Sequence, residues 1–96
     1  MKPSVALASH RVQIREIVKS HHATNARVFG SVAAGIDTEE SDLDILIDPT
    51  PETTLFDIGA IRFELKKLLG VSVDVLTPKA LPEKFRLIVI ANALPI

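Results

Sequence analysis

Along residues 4–21, "SVALASHRVQIREIVKSH", the apolar residues Leu7, Ile14, Ile17 and Val18 fall near one helical face. Arg11, Arg15 and Lys19 lie elsewhere, so the spacing predicts one helix, with Ser4 or Ser9 as its cap. "ARVFG" (26–30) reads as a short strand ending in glycine. After the polar loop "GIDTEES", the alternation and isoleucines of "DLDILID" predict a second strand. "DPTPETT" holds two prolines and several capping residues and feeds a helix. In "LFDIGAIRFELKKLLG" the apolar stripe is Leu55, Ile58, Ile61, Leu65, Leu68 and Leu69, and Gly70 stands where a C-terminal cap belongs. "VSVDVL" (71–76) alternates again as a strand that "TP" stops, and a last helix runs from about Pro82 to Asn92.

The order helix, strand, strand, helix, strand, helix places a hairpin before a crossover helix and a third strand. The expected fold is a small α/β (α+β) mixed sheet with helices packed on one face, forming a single domain over residues 1–96. A domain this short buries a modest share of its surface, so a partner is expected to supply stability or part of a site.

Composition narrows the function classes. The chain is 47% hydrophobic and 24% charged with net charge -1, which gives no basic face for nucleic acid. Its four aromatics are all Phe, so no Tyr or Trp platform exists for stacked bases. The absence of cysteine excludes disulfides and thiolate metal sites. No apolar run approaches a membrane span, and a soluble, cytoplasmic protein is the expectation.

The chemistry lies in the carboxylates. Side chains alternate across a strand, so Asp42 and Asp44 share a face, about 7 Å apart at their Cα atoms. Asp74 occupies the same kind of position in "VSVDVL". If the two strands are neighbours in matching register, these acids converge on the helix-free face. Clustered carboxylates resist full ionisation unless a cation neutralises them, and hard oxygen ligands with room for water suit magnesium beside a phosphate. Upstream, Gly30 and Ser31 end a strand, and "SVAAG" opens a helical turn. Glycine admits backbone N–H groups close to a phosphate, and the Ser31 hydroxyl adds a donor. No Gly-Lys-Ser/Thr follows, so this is not a P-loop. Taken singly, a Gly-Ser turn is usually only a turn and Asp-x-Asp usually solvated surface. Acids are poor strand formers, however, which makes three at strand positions unusual.

With Gly30–Ser31, Asp42-x-Asp44 and Asp74 in this order, the sequence resembles the minimal nucleotidyltransferase (MNT) group of the polymerase-β-like superfamily. The resemblance extends through "TLFDIGAIRFELKKLLG" and "LPEKFRLIVIANALPI". It implies that Asp42, Asp44 and Asp74 form the catalytic, magnesium-binding set, with Asp74 helping to activate the acceptor hydroxyl. Gly30 and Ser31, with Ser41 beside the acids, would hold the ATP. It also implies an antitoxin that transfers AMP to a tyrosine of a cognate HEPN-domain RNase toxin. The group often reads Gly-Ser-x-Ala-Arg-Gly, whereas this chain has Ala34 at the arginine position, "GSVAAG". Loss of that cation weakens phosphate or transition-state binding unless another basic residue compensates. A second reading is therefore a protein of the same fold that neutralises a toxin by contact alone. Transfer to a small molecule such as an aminoglycoside would need an acceptor domain for which 96 residues leave no room.

Three further features stand apart. The tail "RLIVIANALPI" is either a buried helix or an apolar patch of Leu87, Ile90 and Leu94 for a partner or second copy. His21 and His22 meet a helix C-terminus, and Asp37, Glu39 and Glu40 read as a solvated loop.

Overall fold

The alternation is cleanest at residues 43–49, where Leu43, Ile45 and Ile47 have no solvent exposure. In the computed structural model, which describes residues 1–96, this segment is strand β2 (Leu43–Pro49). It runs antiparallel to β1 (Ala23–Phe29), as a hairpin requires, and parallel to β3 (Val73–Leu76), as a helical crossover requires. A two-residue strand, β4 (Leu94–Pro95), adds antiparallel to the outer edge of β1 and completes the sheet order β3-β2-β1-β4. The sequence pattern does not predict β4, because two residues show no alternation and proline suits only an edge.

The predicted first helix is two, α1 (Pro3–Ser9) and α2 (Arg11–Ser20). His10 leaves helical geometry at φ -135°, ψ 25°, and its Nδ1 donates to the Ala6 carbonyl at 2.9 Å. Neither Ser4 nor Ser9 caps a start: Pro3 fills the first turn, and Asp37 Oδ2 accepts the Ser4 N–H at 2.9 Å. That bond holds the Asp37 carboxyl below the usual range, so Asp37 is a structural tie rather than part of a solvated loop. Between β1 and β2, α3 (Gly30–Ala33) is a single turn.

The crossover helix α4 (Leu55–Leu69) is delimited at both ends. Thr54 Oγ1 accepts the Asp57 N–H at 3.2 Å while Asp57 Oδ2 accepts the Thr54 N–H at 2.8 Å, a reciprocal capping box. Gly70 stops the helix in the left-handed region, φ 67°. Ile61, Leu65 and Leu69 pack with Leu7, Ile14, Val18 and the inward residues of β1, β2 and β3 in one core. Leu55, expected in that stripe, is 86% exposed.

The other side of the sheet is not helix-free. Leu46 and Leu81 are buried outside the main core, and a 3-10 turn at Pro78–Ala80 packs over β2. Arg86 fastens this turn, donating from Nε to the Pro78 carbonyl at 2.8 Å and from Nη2 to the Leu81 carbonyl at 3.2 Å. Arg86 also opens α5 (Arg86–Asn92), which starts later than predicted and buries no residue. With Leu87 81% exposed, the buried-helix reading of the tail fails. No helix is long and apolar enough to cross a membrane.

Candidate active site

The parallel register of β2 and β3 pairs Leu43 with Val73 and Asp44 with Asp74. Because their inward neighbours are buried, both carboxylates project from the opposite side, and Asp42 lies just before β2 on the same side. The antiparallel register of β1 sets Phe29 opposite Asp44 and so brings Gly30 to the same place. Of the acids, Asp44 is half-buried while Asp42 and Asp74 are exposed. Burial, followed by the negative charges of Asp74 and Asp42, raises the Asp44 carboxyl from 3.8 to about 6.

Gly30 is required in this arrangement for two reasons. Its φ is +68°, and a Cβ added there would collide with Asp44 Oδ2. The sequence pattern offered Gly30 only as a neighbour of phosphate, and its close packing against a carboxylate is a tertiary contact. No side chain caps α3, so the N–H groups of its first turn, at Gly30 and Ser31, lack intrahelical acceptors. Ser41 Oγ accepts the Thr38 N–H at 2.8 Å, and the Ser41 N–H donates to the Thr38 carbonyl at 3.1 Å. These bonds fix the turn that delivers Asp42.

As the side chains stand, no three His, Asp or Glu residues form a metal cage. Magnesium is usually held by one or two carboxylates plus water and substrate phosphates, so it needs no such cage. The donor chemistry fits that ion: hard oxygens, with a crowded Asp44 whose ionisation a cation would favour.

Every arginine is engaged elsewhere. Arg11 and Arg15 donate to the carbonyls of Pro95 and Ile96, Arg27 pairs with Asp48, Arg62 donates to the Val73 carbonyl, and Arg86 holds the 3-10 turn. None is therefore free to serve at Ala34, the position where the resemblance leads one to expect an arginine. Instead, Ala34 lines a hollow of about 260 Å³ with Phe29, Gly30, Ile88, Val89 and Asn92. The contribution of α5 to the surroundings of Gly30 left no sequence signal, since it depends on where the C-terminal segment folds back. His21 and His22 lie away from the acids, against Glu64 and Asp57 on α4.

A family model described as a nucleotidyltransferase domain matches residues 11–96. The chain is 38% identical over 65 residues to "Putative protein adenylyltransferase MJ0435" of Methanocaldococcus jannaschii, covering 68% of this chain and 70% of that protein. "Putative protein adenylyltransferase MJ1379" of the same organism is 32% identical over 79 residues, covering 72% and 79%. A solved structure described as a "putative minimal nucleotidyltransferase" superposes with TM-score 0.87 at 35% identity, over 97% of this chain and 95% of that one. A second, described as a "toxin-antitoxin with AMP-PNP", shares the fold with TM-score 0.70 at 14% identity, over 97% and 71%.

Proposed function

The chain belongs to the nucleotidyltransferase domain family, and from that premise we propose that it is a magnesium-dependent, cytoplasmic protein adenylyltransferase acting as an antitoxin. Its nucleotide is ATP and its acceptor a tyrosine hydroxyl on a HEPN-domain RNase toxin. The observation that carries this reading is the register that sets Asp44 beside Asp74 with Gly30 against Asp44. The names of the adenylyltransferase relatives and the AMP-PNP of the toxin–antitoxin neighbour support the substrate class.

In this mechanism Asp42 and Asp44 would hold magnesium, with Asp74 completing the acidic set. When bound, the ion would supply charge neutralisation for the triphosphate and the departing pyrophosphate. The first-turn N–H groups and Ser31 hydroxyl of α3 hold the phosphate chain, with Ser41 beside it. Asp74 accepts the proton of the acceptor hydroxyl as its oxygen bonds to the α-phosphorus and the bond to pyrophosphate breaks. The test is incubation with ATP, magnesium and the unmodified cognate HEPN-domain toxin, followed by intact-mass analysis. One AMP added per toxin chain is the expected result, and an unchanged toxin mass overturns the reading.

Neutralisation by contact alone is the second reading, favoured by Ala34 without a substitute arginine and by the uncovered α5. Replacing Asp42 and Asp44 by Asn separates the two. Adenylylation requires neutralisation to fail, and contact alone requires it to survive.

A further inference from the structure

Asn92 is the one polar side chain in the hollow beside Gly30, and its amide is held one way round. Nδ2 donates to the Ile88 carbonyl at 2.8 Å. Only the amino end of an amide can donate to a carbonyl, so this bond fixes which end is nitrogen. Oδ1 and the second Nδ2–H have no partner in the protein. The amide therefore offers one acceptor and one donor, and turning it over would set Oδ1 against the Ile88 carbonyl oxygen.

The rest of the hollow is apolar, with Ala33 and Ala34 at the end of α3 facing Ile88 and Val89 of α5. Ile88 is 62% exposed and α5 buries no residue, so this apolar wall meets water and does not serve the core. It is nevertheless fixed in place. Arg86 ties the start of α5 to the 3-10 turn, and just beyond the helix Leu94 pairs with Val28 of β1. The volume, about 260 Å³, lies below the roughly 300–1,000 Å³ that takes a whole drug-sized ligand, and it suits a single flat ring system. Gly30 lines both this hollow and the proposed phosphate clamp, so phosphates held at Gly30 and Ser31 bring an attached ring within reach.

Resting on the transferase reading, we infer that the hollow receives the base of the nucleotide and that Asn92 selects adenine. Adenine presents an amine donor at N6 beside a ring acceptor at N1, the complement of the locked amide. Hypoxanthine and guanine present O6 beside N1–H, which need the amide reversed against Ile88. Cytosine shares the adenine pattern but, as a single ring, covers less of the apolar wall. The purine shields Ile88 and Val89 from water, and the small side chain of Ala34 admits it.

Calorimetric titration of the full chain with ATP, ITP or inorganic tripolyphosphate, each with magnesium and without an acceptor protein, tests this. ITP differs from ATP only at the N6/N1 edge. The expected result is ATP bound at least about 5-fold more tightly than ITP, with the two within about 2-fold of each other in Asn92→Leu. Ala34→Leu, which fills the hollow, should weaken ATP at least about 10-fold more than tripolyphosphate. Both positions are exposed and each outcome is a ratio between ligands, so a general loss of stability does not imitate it. Three results each overturn the inference and leave the transferase reading standing: ATP and ITP bound alike by the wild-type chain, a preference that survives Asn92→Leu, or equal weakening of ATP and tripolyphosphate in Ala34→Leu. A wild-type chain that binds neither ATP nor tripolyphosphate overturns both.

Discussion

Strands β2 and β3 turn two unlike surfaces outward from alternate residues of the same short segments. On the core side, Leu43, Ile45, Ile47, Val73 and Val75 are buried against α2 and α4. On the other, Asp44 and Asp74 are neighbours, and buried Leu46 and Leu81, with half-buried Leu76 paired to Leu46, make a small apolar patch. The first arrangement lowers the free energy of the native state through apolar burial. The second raises it, because like charges face each other in a partly dehydrated place and push Asp44 to about 6. The strain is local, and the core side holds the register that imposes it. The acids are therefore tolerated by the fold, which does not need them, and the two sides should respond oppositely to substitution.

The largest effect belongs to the core side. Ile45→Ala removes a fully buried side chain and should cost about 2–5 kcal/mol in urea unfolding. That is a large share of the roughly 5–15 kcal/mol available to a domain, and a loss below 1 kcal/mol would break the contrast. Asp44→Asn should do the reverse. Stability at pH 7 holds or rises, while AMP transfer falls at least about 100-fold, read by toxin mass against time. Leu81→Ala lies between them. It empties the small patch under the 3-10 turn, with an expected cost of about 2 kcal/mol, the low end for a Leu→Ala change at a site that can partly collapse. Equal losses at Leu81 and Ile45 would mean that the acid side has a core as consequential as the main one.

The division between the sides also governed what the residues revealed by themselves. Alternation of period two showed which residues of 43–47 and 73–75 face the core, and a helical crossover between them implied parallel neighbours. From these, the convergence of Asp42, Asp44 and Asp74 followed on the condition that the two strands are neighbours in matching register; the pairing of Asp44 with Asp74 itself is a fact of the folded sheet. The outer ends of α4 were legible for the same local reason, through the capping residues of "DPTPETT" and through Gly70, although the Thr54–Asp57 box itself was seen only in the structure. His10 was not, because Leu7, Ile14 and Val18 keep helical spacing straight across the break. Nor were β4, the 3-10 turn over Leu46, or the contact of Gly30 with Asp44. Each depends on where distant segments meet, which periodicity does not encode. The exposure of Leu55 shows the same limit: the stripe was real, but its first turn extends past the core.

The smallest effect is the most direct probe of the acid side. A carboxyl at about 6 in the native state and near 3.8 when unfolded binds its proton more tightly in the native state. By linkage, its contribution to stability is fully present below about pH 4 and is lost as pH rises through about 6. Urea midpoints of the metal-free protein should therefore fall modestly between about pH 4 and 6 and then level. Asp57 acts in the opposite sense but elsewhere: its capping bonds hold it below 3.8, so its stabilisation is lost only as pH falls through that lower range. In Asp44→Asn the decline between pH 4 and 6 should disappear. Magnesium, if it binds where proposed, should raise the midpoint above pH 6 and lose its effect below, where Asp44 keeps its proton. A decline that survives in Asp44→Asn would move the crowding to another group and leave the two sides of the sheet less different than their residues imply.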